Sequence, residues 1–441
     1  MTKEEYTCLF QNIGAAALAL NMENSHSGNI SMLATVPGCA EPALYITKTG
    51  SKLGHLQDRD VCAPGLDKIT CGVFQASSET NIHRGILKNA NAGLPTGQAG
   101  AAMHAHVLTA ILISYNIESI KPIDRLGAYH LAEVPSVRFE FPVGSQEMVD
   151  KIPPLLKDHK IMIVKTHGAF GRGASLKEVF YNMALLEYSA KVIFYATTLG
   201  VDIKRIQSQL PAGLKAMYPF APPDYSETLD SRCDADDQGI RRQFEETCQD
   251  IFYLELSPFH TGSASVRDGQ TMLYAPKAST PKGLPGPILR IAIAPEAKID
   301  PGLILDAHEV ETHRHLYAHS RVNAVLHTLS PQATAQAFYA IDRGADRIIP
   351  ADAEGGYLYP AIPVLDSHPA LDALTAKVVK YKMAAVKGEG IWSGGNTLGY
   401  TLHHPSSAKN ISYLRNYLNI MHRLGMGPDV KSQENEKGRE W

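Results

Sequence analysis

The sequence predicts an α/β protein built from two tandem copies of one α/β module. Short apolar runs of strand length alternate with longer stretches of helical spacing, the pattern of layered α/β domains. The same motifs recur in the same order in the two halves of the 441 residues, and a proline- and charge-rich segment separates the halves. The composition agrees. With 44% hydrophobic and 20% charged residues, 35 glycines and 27 prolines, it is that of an ordinary globular chain rather than a disordered or fibrous one.

Residues 9–20 are apolar with helical spacing and predict a first helix, which the polar stretch 21–29 ends. Residues 43–47 (ALYIT) predict a strand closed by a turn at Lys48-Thr49-Gly50. The run 101–113 reads as a further strand and carries His104 and His106. Residues 161–165 (IMIVK) predict another strand, followed by a glycine-rich turn at 168–173 and a long helix. Ser175 is the expected N-cap of that helix, with Glu178 completing a capping box. Val179, Met183, Leu186 and Ala190 supply its buried face. Residues 206–245 then turn rich in proline and charge. The expected organisation is a first module over 1–215, a linker over 216–245, a second module over 246–426 and a polar tail over 427–441.

The duplication rests on five matches in the same order. Ser27-Gly28-Asn29-Ile30-Ser31 pairs with Thr261-Gly262-Ser263-Ala264-Ser265, and LYITKT at 44–49 with LYAPKA at 273–278. Glu79 and His83-Arg84 pair with Glu309 and His313-Arg314. AAMHAH at 101–106 pairs with AVLHTL at 324–329, and VKTHGAFGRGASL at 164–176 with VKGEGIWSGGNTL at 386–398. Offsets that drift slowly along the chain are what insertions and deletions leave in a duplicated domain.

Several function classes are disfavoured. A net charge of −3 offers no basic surface for nucleic acid. No apolar run reaches the roughly 18–20 residues that span a bilayer. The start, Met1-Thr2-Lys3-Glu4-Glu5, is acidic and lacks the apolar core of a signal peptide. Six cysteines without a CxxC pair read as reduced thiols, and the expected location is the cytoplasm.

His104 and His106 carry the chemistry. Two apart on a strand, they share one face, about 6–7 Å apart along the backbone, and can converge on one cation. His167 follows an apolar strand and precedes a turn and helix, where α/β sheets place their ligands. A third imidazole completes a set that leaves positions open for water or substrate. Gly28-Asn29, Thr49-Gly50 and Ser77-Ser78 offer hydroxyls, an amide and backbone N–H groups, the makings of an anion nest.

Taken together, Ser27-Gly28-Asn29-Ile30-Ser31, Ile46-Thr47-Lys48-Thr49-Gly50, Ser77-Ser78-Glu79 with His83, His104-x-His106 and Lys165-Thr166-His167-Gly168 resemble the class II aldolase/adducin family. The resemblance covers nearly all of 8–200 and, more faintly, 250–425. It implies two α/β/α modules, each with a mixed, largely antiparallel central sheet flanked by helices. It implies that His104, His106 and His167 hold one divalent ion per chain, usually zinc, with manganese or cobalt in some members. Glu79 would be the acid/base, and Asn29, Thr49, Gly50, Ser77 and Ser78 would hold a substrate phosphate or carboxylate. Four modules form a ring in the family, so a duplicated chain implies a homodimer that makes a pseudo-tetramer.

The sequence departs from the family in three places. An insert, RGILKNANAGLPTGQAGAAM, lies between His83 and His104; its glycines and asparagines predict a loop at the substrate mouth. The family's aldolases use a tyrosine between the second and third histidines, and here that stretch falls near Arg125, Leu126 and Tyr129 without an assignable counterpart. The second copy keeps His327 but has Leu329 and Glu389 at the other ligand positions and Ala307-His308 in place of the serine pair. It reads as a degenerate copy kept for architecture, against a different site using Glu309, His313 and Glu389. The resulting expectation is a metal-dependent lyase that works on a small phosphorylated or carboxylated hydroxy-carbonyl substrate through a metal-stabilised enediolate. An aldolase, a decarboxylase and a dehydratase share that logic. A non-catalytic adducin-like scaffold is the competing class.

Overall fold

A computed structural model of the chain describes residues 3–34, 43–64, 76–91, 100–210, 238–281, 288–294 and 306–426. These divide into two compact units, one over 3–122 and 130–190, the other over 123–129, 191–210 and 238–426. Most of the expected linker, 216–237, and the tail 427–441 lie outside the described residues. A helix, Gln238–Tyr253, starts in the linker's last positions.

The first unit is built on eight strands: β1 (Asn29–Ala34), β2 (Ala43–Thr47), β3 (Val61–Cys62), β4 (Ala101–Ala105), β5 (Ser119–Ile120), β6 (Val134–Val137), β7 (Ile161–Val164) and β8 (Gly168–Gly173). Their order across the sheet is β3-β2-β1-β4-β8-β7-β6-β5. Every neighbouring pair is antiparallel except β6 and β7. The second unit repeats this with β9 (Ser263–Asp268), β10 (Thr271–Pro276), β11 (Leu289–Ala292), β12 (Ala324–Thr328), β13 (Arg347–Ile348), β14 (Ile362–Leu365), β15 (Met383–Val386) and β16 (Gly390–Gly395). Its order, β11-β10-β9-β12-β16-β15-β14-β13, is the same once renumbered, and β14 with β15 is again the parallel pair. The duplication and the mixed, largely antiparallel sheets are thus present in the fold.

Register fixes the equivalences residue by residue. On β4, His104 lies opposite Asn29 of β1 and Phe170 of β8. On β12, His327 lies opposite Ser263 of β9 and Trp392 of β16. A one-residue slip would send every side chain to the other face, so these pairings are strongly constrained.

In the first unit the helices Thr80–Asn91 and Gln146–Asp158 cover one face of the sheet. Ile82, Ile86, Met148 and Ile152 pack there with Leu44, Met162 and Phe170. Each fully buried side chain of this kind contributes about 1.5–3 kcal/mol. The long helix Leu176–Leu199 has the expected Ser175 cap, while Glu178 reaches one residue further back than a capping box requires. Ser175 Oγ accepts from the Glu178 N–H at 3.2 Å, and the Glu178 carboxylate accepts from the Ala174 N–H at 2.7 Å.

Three expectations are corrected. The glycine-rich stretch 168–173, read as a turn, is strand β8, paired with β4 and β7. The run 101–113 is not one strand: β4 ends at Ala105 and residues Leu108–Ser114 are helical. An apolar run alone does not distinguish the two states. The tertiary cause of the switch is Glu187, whose carboxylate accepts from the Thr109 and Ala110 N–H groups and from the Thr109 hydroxyl at 2.6 Å, serving the helix start from another element. The expected loop over 84–103 is also mostly regular. Thr80–Asn91 is helix because Ile82, Ile86 and Leu87 bury one face, and β4 begins at Ala101; residues 92–99 lie outside the described set.

Candidate metal centre

The three histidines meet in the first unit. His104 is on β4, His106 just beyond its end, and His167 in the hairpin between β7 and β8. Their ring centroids lie 4.5–5.5 Å apart, and one ligand atom of each falls within 4.8 Å of the others. The hairpin that delivers His167 carries strain. Thr166 has φ of +72°, a region a β-branched residue rarely enters, and the equivalent position in the second unit is Gly388 at +75°. Gly168 is required by space: a Cβ there would stand 2.6 Å from His104 Cε1 and 3.0 Å from His106 Cδ2.

The rings are prepared for a cation. His104 Nδ1 lies 3.0 Å from the Ala169 carbonyl, which can only accept, so Nδ1 carries the proton and the Nε2 lone pair is directed to the centre. The ring also stacks on Phe170 at 4.4 Å. Burial first, then the neighbouring imidazoles, hold His104 down to about 3 and His167 to about 4, and burial lowers His106 as well. All three are therefore neutral at ordinary pH, the form that ligates. His167 Nδ1 is a buried nitrogen with no hydrogen-bond partner among the described residues. Three neutral imidazoles with close ligand atoms, one of them with its tautomer fixed by the Ala169 carbonyl, fit a divalent ion.

Glu79 stands at the edge of this set, its Oε2 4.0 Å from His104 Nε2. Asn29 Nδ2 donates to that same oxygen at 2.7 Å, so the amide reaches Glu79 directly. The remaining expected residues come together. An antiparallel bridge between Lys48 and Ala76 brings Thr49-Gly50 beside Ser77-Ser78. Thr49 Oγ1 donates to the Ala76 carbonyl at 2.9 Å, and Ser77 Oγ accepts from the Glu79 N–H at 3.3 Å. Gly50 has φ of +70°, and a Cβ there would meet nothing within 4 Å, leaving its backbone open to approach. Lys48 pairs with Asp60, a contact that no local motif foretells.

The second unit answers the same positions with charge pairs. His327 Nδ1 lies 2.6 Å from Glu309 Oε1 and its Nε2 2.8 Å from the Glu389 carbonyl. Both partners can only accept, so both ring nitrogens carry protons and the ring is an imidazolium without a lone pair for a metal. Glu309 is held down to about 2: burial works against its charge, and the His327 charge and hydrogen bond outweigh it. His327 is raised by the Glu309 charge and hydrogen bond, which outweigh the opposing effect of burial. Glu389, at the third ligand position, sits with Arg125 at 3.4 Å, His368 at 3.2 Å and His308 at 3.7 Å. Arg125, from the stretch where the family's tyrosine was sought, belongs to this unit and also meets Asp306 at 3.5 Å. The anion loop is closed too: the Ala278 and Ser279 N–H groups donate to the Gly262 and Thr261 carbonyls.

The Class II Aldolase and Adducin N-terminal domain family matches residues 9–194 and 242–411. An L-fuculose phosphate aldolase of Methanococcus maripaludis is 26% identical over 158 residues, 36% of this chain and 81% of that protein. A 3-oxo-tetronate 4-phosphate decarboxylase of Escherichia coli is 27% identical over 171 residues, 38% of this chain and 76% of that protein. Among solved structures, the L-fuculose-1-phosphate aldolase of Thermus thermophilus shares 26% identity over 47% of this chain and 99% of its own, with a TM-score of 0.38.

The Glu309–His327 pair gives a signed pH prediction. Glu309, depressed from 4.5 to about 2, adds stability above pH 4.5 that is lost as pH falls toward 2. His327, raised above 6.5, adds stability below pH 6.5 that is lost as pH rises through its raised value. Denaturant unfolding of His327→Gln against wild type is expected to show its largest deficit between pH 4.5 and 6.5. The deficit should be about 3 kcal/mol or more there, shrinking toward pH 9. A deficit constant from pH 5 to 9 would contradict the ion pair.

Proposed function

Since the chain belongs to the class II aldolase and adducin family, we propose that it is a divalent-metal-dependent lyase that makes or breaks a carbon–carbon bond in a small phosphorylated or carboxylated hydroxy-carbonyl compound. The observation that carries this reading is the three-imidazole set of His104, His106 and His167 with a carboxylate, Glu79, 4.0 Å from the first ring. An ion held there, zinc or else manganese or cobalt, would supply Lewis-acid charge to a substrate carbonyl and its neighbouring oxygen.

The chain's own residues do the rest. Thr49, Gly50, Ser77 and Ser78, held together by the Lys48–Ala76 bridge, take the substrate's phosphate or carboxylate and fix its distance from the metal centre. Asn29 keeps one oxygen of Glu79 in a hydrogen bond and leaves Oε1 to move the proton. A decarboxylase using the same site is the second reading, supported by the 3-oxo-tetronate 4-phosphate decarboxylases among the relatives.

The exposed stripe Tyr413, Tyr417 and Met421 on the helix Leu398–Arg423, continued by Leu424 just past its end, supports an assembly of more than one chain. We propose a homodimer, four modules with two complete metal sites.

Metal-loaded protein assayed with L-fuculose 1-phosphate and with 3-oxo-tetronate 4-phosphate is expected to release aldehyde from the first or carbon dioxide from the second. Glu79→Gln is expected to lower turnover at least about 100-fold while the protein stays folded and metal-loaded. Undiminished turnover in Glu79→Gln would move the proton transfer to another group. Light scattering is expected to give twice the chain mass; a monomer with full activity would sink the assembly proposal.

A further inference from the structure

The second unit holds a hydrogen-bond chain whose direction is fixed by chemistry. Glu309 only accepts, so Ser263 Oγ donates to it at 2.6 Å. The Ser263 oxygen, which also meets the Tyr274 hydroxyl, then accepts from His313 Nε2 at 2.8 Å. Burial holds His313 neutral, down to about 3, so its one proton is on Nε2 and its Nδ1 accepts from Ser265 Oγ at 2.6 Å. The Ser265 oxygen accepts in turn from Tyr317 at 2.7 Å. The chain runs Tyr317, Ser265, His313, Ser263, Glu309, each hydroxyl or ring passing one proton forward.

The first unit has the same chain with two substitutions, one of which, Leu87 in place of Tyr317, removes the hydroxyl at its start. Ser31 stands for Ser265, His83 for His313, Glu79 for Glu309 and Asn29 for Ser263, an alignment that strand register confirms because Asn29 lies opposite His104 as Ser263 lies opposite His327. Ser31 Oγ is 2.6 Å from His83 Nδ1, the same distance as in the second unit. His83 is fully buried. Three buried polar atoms around it have no partner among the described residues: His83 Nε2, Asn29 Oδ1 and Glu79 Oε1. One of them is a potential donor and two are acceptors.

We propose that His83 is a positioning residue for Glu79, acting through Asn29. The Ser31 hydroxyl has one proton and two neighbours that can take it, His83 Nδ1 at 2.6 Å and the Ala102 carbonyl at 3.5 Å; given to the nearer, it leaves the His83 proton on Nε2, for which the unpartnered Asn29 Oδ1 is the acceptor that corresponds to Ser263 in the second unit. That fixes which way the Asn29 amide faces, and the amide's Nδ2–H is then committed to Glu79 Oε2, where it is found at 2.7 Å. Glu79 Oε1 is left as the one acceptor not claimed by the protein. Without the His83 donor the buried amide would face a partnerless oxygen, its orientation would no longer be set, and Glu79 would lose its aim. The inference rests on the reading of Glu79 as acid/base in the lyase.

The test compares His83→Gln, whose amide keeps a donor near the Nε2 position, with His83→Leu, which removes it. On whichever of the two sugar-phosphate probes the chain turns over, His83→Leu is expected to lower kcat about ten- to a hundredfold with KM and metal content nearly unchanged. His83→Gln is expected to recover most of that loss. Equal loss in both variants, or a loss that follows metal content, would overturn the proposal. A second measurement does not depend on turnover. In the zinc-loaded protein labelled with 15N-histidine, the His83 resonances, assigned by their disappearance in His83→Gln, are expected to show a proton bonded to Nε2 and none on Nδ1. The opposite tautomer would overturn the positioning role even if the lyase assay succeeds. If neither probe is turned over but the Nε2 proton is found, the lyase reading fails and the chain to Asn29 stands.

Discussion

An imidazole can take a cation only when one ring nitrogen keeps its lone pair away from hydrogen-bond acceptors and the other holds the ring in place. In the first unit the Ala169 carbonyl, one strand over from His104, takes the Nδ1 proton and leaves Nε2 to the centre. In the second unit the ring at the same register position faces an acceptor on each side, Glu309 and the Glu389 carbonyl, and becomes a cation itself. The same strand order, hairpin and stacked aromatic, Phe170 or Trp392, thus support opposite electrostatic states. What differs is a handful of side chains around one ring.

Those substitutions are mutually consistent. Losing two imidazoles removes the metal, and with it the positive charge that made a nearby carboxylate tolerable. Glu309 then needs a positive partner, and His327 supplies it. Glu389 brings another buried carboxylate, answered by Arg125, His308 and His368. The strained Thr166, needed to present His167, gives way to Gly388, which takes the positive φ without cost. The amide at Asn29 becomes the hydroxyl of Ser263, and the polar chain closes completely. A buried ion pair stands where the first unit has its histidine set, and breaking only one member of such a pair is what destabilises.

Much of this was legible in the sequence because it is local or repeated. The HxH spacing and the VKTHG motif placed three imidazoles together, the internal repeat gave two matching sheets, and Ser175 with Glu178 marked a helix start that the fold reproduces. Other features were not legible because distant groups decide them. The apolar stretch after His106 became helix through Glu187, some eighty residues away in the chain. The hydrogen bond of the Asn29 amide to Glu79, fifty residues on, could not be read from either residue's sequence neighbours. His83 was visible as a repeated residue, but its link to Ser31 needed the register of β1 against the helix that follows Glu79. Arg125 could not be assigned at all until its pairing with Glu389 was seen.

The central claim is that one module holds a divalent ion and the other replaces it with an imidazolium. Elemental analysis of protein loaded with excess zinc and then freed of loosely bound ion tests it most directly. The account predicts one zinc per chain, lost in His104→Leu and retained in His327→Leu. Two tightly bound ions per chain, or one that disappears with His327 and survives the loss of His104, would contradict it.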